Sequence, residues 1–364
     1  MKLLTIFPIF TQRHAQVLSE HVEHVLVCDS RTPFEGGDAL TKVVPLRVGY
    51  FGITKVLRFL HKEGTAPAYM HGLQTVLHGE YPDRIVVTDF FQLYFWQCMS
   101  FVKRNPTAQL FLYSETKQLP TNLLSKLVML FFLWRLEVNQ KHLRAIFVFT
   151  ERGLTFFKSR FPTVRVISMP NPIDTELFFP QERNILQDDV LHILMVARYV
   201  GYKRHKDVLD AVVLVKEQGK KVKVTFVGKT GDDKESIRAY VKDIGLENVV
   251  TFLDPVPEKD MQKLYTSHDV LVLPSYNEAI GLAVPEAMAC GLPTITSDTV
   301  GANVYVKKDV TGYIYVTYNV KELAECIVKI HNRERIIAMG QAARAQVLGF
   351  SIKNGVSTFL KAIA

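Results

Sequence analysis

Val270-Leu271-Val272-Leu273-Pro274-Ser275 is followed, after two residues, by Glu278-Ala279-Ile280-Gly281-Leu282-Ala283-Val284-Pro285-Glu286-Ala287-Met288-Ala289-Cys290-Gly291-Leu292-Pro293. The aliphatic run closed by Pro reads as a strand buried on both faces. Gly281 opens a helix, Leu282–Ala289, that Gly291 ends. Two carboxylates, Glu278 and Glu286, stand eight positions apart on either side of that opening glycine. The N–H groups of a helix N-terminus are unpaired and partly positive, so they attract phosphate. Carboxylates beside them repel phosphate but accept hydrogen bonds from sugar hydroxyls. The combination suits a ligand with both parts, a nucleotide-sugar. Taken alone, the same residues also fit a helix whose acidic first turn is stabilised by its dipole.

Working outward, the second half of the chain alternates short aliphatic runs with helical patterns. Leu191–Val196, Val222–Val227, Val249–Phe252, Val270–Leu273, Thr294–Thr296 and Tyr313–Val316 read as strands. Asp207–Gln218, Asp233–Ile244, Glu258–Ser267 and Leu282–Ala289 read as helices between them. Such alternation predicts a parallel, doubly wound α/β sheet, with ligands at the carboxyl ends of its strands. The first half is less regular, with strands expected at Leu3–Phe7, Val25–Cys28, Ile85–Thr88, Leu110–Tyr113 and Ile146–Phe149.

A second segment bears chemistry: Met195-Val196-Ala197-Arg198-Tyr199-Val200-Gly201-Tyr202-Lys203-Arg204-His205-Lys206-Asp207. It follows one strand and leads into a helix. A departing diphosphate needs positive charge, which Arg supplies as a bidentate fork and Lys as a compact point charge. Arg198 and Lys203 are the candidates, with Lys206 as an understudy for Lys203. A solvated basic loop is the plainer reading.

Together these segments resemble glycosyltransferase family 4, the retaining GT-B enzymes with a Glu-x7-Glu signature. Pro274-Ser275, Gly281-Leu282 and the Glu286–Pro293 tail carry the likeness, as does Lys203 five residues after Arg198. Pro170-Asn171-Pro172-Ile173-Asp174 looks like that family's interdomain linker, and Phe226-Val227-Gly228-Lys229-Thr230-Gly231 like its glycine turn. The resemblance implies two doubly wound Rossmann-like domains facing an interdomain cleft. Residues 1–169 would bind the acceptor and 170–345 the nucleotide-sugar, and a helix in 346–364 would pack back on the first domain. It further implies roles for single residues. Arg198 and Lys203 would stabilise the leaving diphosphate, and Glu278 would hold the donor sugar beside the N–H groups of Ile280, Gly281 and Leu282. Glu286 would hold the ribose, Gly228 would line the nucleotide site, and the base would contact backbone near Val256.

The departures concern mostly the first half. Phe10-Thr11-Gln12-Arg13-His14 replaces the family's glycine-rich loop after the first strand. Tyr113-Ser114-Glu115-Thr116 stands where relatives carry a His, which makes Glu115 the acceptor-side candidate. Gly301-Ala302-Asn303-Val304-Tyr305 lacks the Glu usual there.

Composition narrows the classes. With 364 residues, 48% hydrophobic and 22% charged, the chain can build two separate cores. The four cysteines have no metal-ligand spacing and read as reduced thiols of a cytoplasmic protein. His21/His24 and His71/His78 lack a third ligand nearby, and there is no Asp-x-Asp, so no metal and no cofactor are expected beyond the donor substrate. The whole net charge of +8 lies in residues 1–170, which also hold 17 of the 23 Phe. That shift supports a domain boundary near Pro170. It suggests an anionic acceptor or the inner face of an anionic membrane, while no nucleic acid is expected. Leu123–Arg135 is apolar nearly all round with Lys126, Arg135, Lys141 and Arg144 at its margins, which fits an interfacial helix or one buried in the protein.

The expectation is a retaining transferase that moves a sugar from a UDP- or GDP-sugar to a glycan or lipid-linked acceptor. A nucleotide-sugar 2-epimerase of the same fold and a non-catalytic nucleotide-binding module are the alternatives.

Overall fold

Period-two burial along the strands builds two cores on opposite faces of one sheet. The computed structural model describes residues 1–6, 12–30, 41–49, 67–116, 118–120, 122–182, 185, 189–229 and 231–364. It divides into two compact units, residues Met1–Pro172 with Ile352–Ala364, and residues Ile173–Ser351. Phe7, Phe10, Thr11 and Thr230, on which parts of the sequence reading fall, lie outside the described residues.

The first unit contains β1 (Lys2–Ile6), α1 (Gln12–Ser19), β2 (Glu23–Asp29), β3 (Thr41–Leu46), the short pair β4 (Val48–Gly49) and β5 (Tyr69–Met70), and α2 (Leu73–Glu80). It continues through β6 (Arg84–Thr88), α3 (Leu93–Arg104), β7 (Gln109–Ser114), α4 (Leu123–Asn139), β8 (Leu143–Val148), α5 (Glu151–Arg160) and β9 (Arg165–Ser168). Seven strands form one parallel sheet, ordered β3-β2-β1-β6-β7-β8-β9. Leu4, Ile6, Val25, Val27, Leu110 and Leu112 point to the face covered by α2 to α5. Their neighbours Leu3, Val86, Phe111, Tyr113 and Phe147 point to the other face, against Leu18 and the C-terminal helix Ile352–Ile363. The carbonyls of Ile363 and Ala364 accept from Arg84 at 2.8 and 3.3 Å.

The second unit runs β10 (Val190–Val196), α6 (His205–Glu217), β11 (Lys221–Val227), α7 (Lys234–Asp243), β12 (Val250–Leu253), α8 (Glu258–Thr266) and β13 (Val270–Leu273). It closes with α9 (Ala283–Ala289), β14 (Thr294–Ser297), β15 (Gly312–Tyr315), α10 (Val320–Ile330) and α11 (Arg333–Leu348). All six strands are parallel, ordered β12-β11-β10-β13-β14-β15. Counted within the unit this is 3-2-1-4-5-6, the dinucleotide-fold order, whose direction of winding reverses between β10 and β13. Ligands in such sheets bind outside the carboxyl ends of the two strands at that reversal.

Two sequence expectations need correction. Leu123–Arg135 lies in a helix that extends to Asn139, and it is not surrounded evenly: Phe132, Leu133 and Leu136 are buried while Leu127, Phe131 and Trp134 are exposed. Arg135 is not at its margin either, because its guanidinium lies 4.1 Å above the Trp96 ring, inside the unit.

Candidate active site

The chain leaves β10 at Ala197, whose N–H donates to the Val227 carbonyl at 2.9 Å, and so holds to the end of β11. Gly228 makes that approach possible. A Cβ there would sit 1.9 Å from the Ala197 oxygen. Arg198 then projects into solvent and donates to the Tyr202 hydroxyl at 2.6 Å. A single 3₁₀ turn, Gly201–Lys203, follows, and Arg204 takes a left-handed conformation with φ of 59° before α6 begins. That backbone costs ~1 kcal/mol or more for a residue with a Cβ. Two hydrogen bonds from Arg204 to Asp207, of 2.9 and 2.6 Å, hold it there, as does the Tyr318 ring 4.7 Å below its guanidinium.

The turn aims Lys203 inward. Lys203 is buried, and its Nζ donates to Glu278 Oε2 in an ion pair. Burial first, and the charge of Arg198 second, pull the lysine down to about 8. At that value the ammonium is still charged near neutrality, which its ion pair with Glu278 needs.

Glu278 comes from the loop after β13. The Tyr276 N–H donates to the Tyr202 carbonyl at 3.0 Å, which ties that loop to the turn after β10 across the reversal point. From the far side, the Gly301 N–H donates to the Glu278 carbonyl at 2.9 Å. Gly281 has φ of +77°, and a Cβ there would press on the Glu278 side chain at 3.1 Å and on Leu273 and Ala302. Only glycine serves this corner. Beyond it, the N–H groups of Ile280, Gly281 and Leu282 have no protein acceptor among the described residues. Glu286 stands in the first turn of α9 and accepts from the Tyr265 hydroxyl at 2.6 Å. Burial pushes its carboxyl up to about 7, and Glu258 adds to the rise while the Tyr265 hydroxyl opposes it.

The structure thus brings Arg198, Lys203, Glu278, Gly228 and the Ile280–Leu282 backbone to strand ends around one reversal point, with Glu286 behind them. Val256 follows β12, the outermost strand on the β11 side. Lys206 does not back up Lys203: it is exposed on α6 and its Nζ lies 4.9 Å above the Tyr240 ring. Glu115 belongs to the first unit, just after β7. Beside it is a carboxyl that the sequence reading did not single out, Asp89, at φ of 55° after β6. Asp89 accepts from the Glu115 N–H and the Ser114 hydroxyl, and burial, then Glu115, raises it to about 7.

Two other partners were missed because they are far away in sequence, Tyr265 under Glu286 and Gly301 under Glu278; Tyr202, four residues after Arg198, was local and was not singled out. His205 was missed as well. It is 2% exposed between Tyr199 and Phe226, and neither ring nitrogen has a hydrogen-bond partner among the described residues. Burial, then Lys203, lowers it to about 3, so it is a neutral core ring under the lysine. The four cysteines are buried, and none forms a disulfide among the described residues. His24 bonds to Thr5 at 2.9 Å, and His78 lies edge-on to Phe101.

Two Rossmann-like α/β units with parallel sheets define the GT-B architecture, and the solved structures similar to this chain are GT-B glycosyltransferases. Residues 179–346 match the family described as Glycosyl transferases group 1, so the likeness at the level of the family lies in the second unit. The chain is 28% identical over 193 residues to a D-inositol 3-phosphate glycosyltransferase of Corynebacterium aurimucosum, covering 49% of this chain and 46% of that one. It spans about half the length of such curated relatives. Sucrose-phosphate synthase from Thermosynechococcus elongatus superposes with a TM-score of 0.76 at 17% identity, over 99% of this chain and 98% of that one. Anabaena HepE, solved in complex with UDP and glucose, superposes with a TM-score of 0.69 at 15% identity, over 99% and 98%. At such identities the structural likeness speaks for the fold alone.

Proposed function

We propose that the protein is a retaining, metal-independent glycosyltransferase of the family 4 type, taking a UDP- or GDP-sugar as donor and a glycan or lipid-linked molecule as acceptor. The observation that carries this reading is the meeting of Lys203 and Glu278 at the reversal point, with Arg198 alongside. A nucleotide-sugar would part that pair. Diphosphate oxygens would take the ammonium, and sugar hydroxyls would take the carboxylate. Glu286 would hold the ribose and the free N–H groups of Ile280 to Leu282 the phosphate side. Support also comes from the family match over the second unit and from a neighbour solved with UDP and glucose.

In the proposed reaction the bond from the anomeric carbon to the diphosphate oxygen breaks, and the acceptor oxygen bonds that carbon on the same face. The acceptor proton passes to the leaving phosphate. Arg198 and Lys203 act electrostatically on the charge that develops on the diphosphate, where fixed cations have their largest effect on rate. They supply what a bridging metal would.

Thermal shift against nucleotides and nucleotide-sugars, followed by turnover of the stabilising donor with and without acceptors, tests the reading. A glycan acceptor and an anionic polyol such as inositol phosphate are the first to try. Release of free nucleotide that needs acceptor is the expected result, and it should persist in EDTA. Epimerised sugar without acceptor would favour the epimerase, and stabilisation without turnover a binding module. Activity lost in EDTA and restored by Mn²⁺ would rule out the metal-free role of Arg198 and Lys203.

A pH profile follows from the two shifted groups. Lys203 acts protonated and is lowered to about 8, so activity should fall as pH rises through that value. Glu286 accepts hydrogen bonds as a carboxylate and is raised to about 7, so activity should fall as pH drops below it. Hence kcat/KM should be bell-shaped with its maximum between these values. Glu286→Gln should remove the acid limb and leave the alkaline one. An unchanged acid limb in that variant would assign it to another group, Asp89 foremost.

A further inference from the structure

We propose that the outward face of α4 in the first unit seats the protein on an anionic lipid bilayer. Leu123, Leu124, Leu127, Phe131, Trp134 and Val138 are all exposed. Their spacing of three and four residues puts the stripe from Leu123 through Leu127, Phe131 and Trp134 to Val138 on one side of the helix. The opposite side, through Phe132, Leu133 and Leu136, is in the core of the unit. The helix is therefore anchored to the protein by one apolar face while a second one points into solvent. Contiguous apolar surface of this kind marks a site of association.

Charge selects the occupant. The helix holds one carboxylate, Glu137, and Arg160 pairs with it at 2.6 Å. The ends of the stripe are cationic. Lys126 is exposed in the first turns, and Lys141 and Arg144 are exposed just past the last one. Lys103 lies at the same end, since its charge and that of Lys141, after burial, lower the neighbouring His142. A second copy of the chain would bring the same cations against these. An anionic bilayer complements both the stripe and its rim, and Trp134 is of the type that rests among headgroups. Among the described residues no helix is long and apolar enough to cross a membrane, so the expected contact is parallel to the surface.

The two tryptophans make the test direct. Trp96 is 7% exposed and Trp134 is 57% exposed, so a change in emission on binding reports the stripe. The full chain is mixed with vesicles of phosphatidylcholine alone or with about one third phosphatidylglycerol, then floated at ~0.1 M and ~1 M salt, where the Debye length falls from ~10 to ~3 Å. Flotation with the anionic vesicles only, a blue shift of Trp134 and weaker binding at high salt are expected. Leu127→Ser with Phe131→Ser, and separately Lys126→Glu with Lys141→Glu and Arg144→Glu, should each lower partitioning by ~10-fold or more. These positions are exposed, so circular dichroism and the thermal midpoint should stay at parental values. No flotation, or flotation that neither variant weakens, would overturn the proposal. So would a dimer in sedimentation that Leu127→Ser with Phe131→Ser disperses while Trp134 ignores vesicles. Lipid binding by this face is independent of the reaction assigned to the second unit, so either can fail alone.

Discussion

Replacing Lys203 by Met is expected to lower kcat by ~10²–10³ while the protein still folds. Met keeps the aliphatic stem in its buried channel and removes only the ammonium, so little packing is lost. Its partner decides the size of the effect. In the parental protein Lys203 is turned toward Glu278 by the 3₁₀ turn and by the left-handed Arg204, neither of which depends on the ammonium. The geometry of Glu278 should therefore survive, and the loss should appear in turnover. Arg198→Ala should act in the same direction with a smaller effect on stability, since Arg198 is exposed. Lys206 cannot mask the loss, because it is engaged over Tyr240 on the outer side of α6. Glu278→Gln, alone and combined with Lys203→Met, completes a cycle read by thermal unfolding. The two residues are in contact, so their effects on stability should not add. Near-parental kcat in both Lys203→Met and Arg198→Ala would remove these cations from the mechanism.

Much of the second unit was legible because its central strands are mostly buried and are written as aliphatic runs, unbroken in β13 and interrupted in β10 only by His192. Val270–Leu273 coincides with β13, and Leu191–Val196 differs from β10 by one residue at its start. The first unit hid its edges. β3 contains Pro45, and as the outermost strand it can spare an N–H, so its pattern resembles a loop. β9, at the opposite edge, has four partly exposed residues and no long apolar run. In the site, the spacing around Glu278 and Glu286 and the pair Arg198 and Lys203 could be read because each is local. What holds them could not. Tyr265, Gly301 and Asp89 reach their partners only through strand order, which pairs positions tens of residues apart.

Gly301→Ala is expected to reduce activity by on the order of 10²-fold although Gly301 has no side chain to offer a ligand. A Cβ at this position would lie 1.8 Å from the Ala279 oxygen and 3.2 Å from the Glu278 oxygen. Both obstacles are backbone, which cannot swing aside as the end of a flexible side chain can. Either the loop after β14 or the loop carrying Glu278 must shift. The second shift would break the hydrogen bond from the Gly301 N–H to Glu278 and pull the carboxylate from Lys203. A displacement of about 1 Å in a positioning group is enough to cost two orders of magnitude in rate. Stability should drop too, because the unit's core lies directly beneath: Ala302 is fully buried. Gly79→Ala is the control, as a Cβ there would meet nothing within 4 Å; it should leave the rate unchanged and hold or slightly raise the thermal midpoint, since Ala favours the helix. If Gly301→Ala fails to fold, Gly281→Ala gives the second reading: it is strained too, but two of its three neighbours at 3.1 to 3.3 Å, Glu278 and Leu273, are flexible side chains rather than backbone. That variant strains a left-handed position and presses on Glu278 itself, so it should impair donor use more than nucleotide binding. Parental turnover in a folded Gly301→Ala protein would mean that the Glu278 loop tolerates displacement, and the rigid pairing of Glu278 with Lys203 would no longer explain the site.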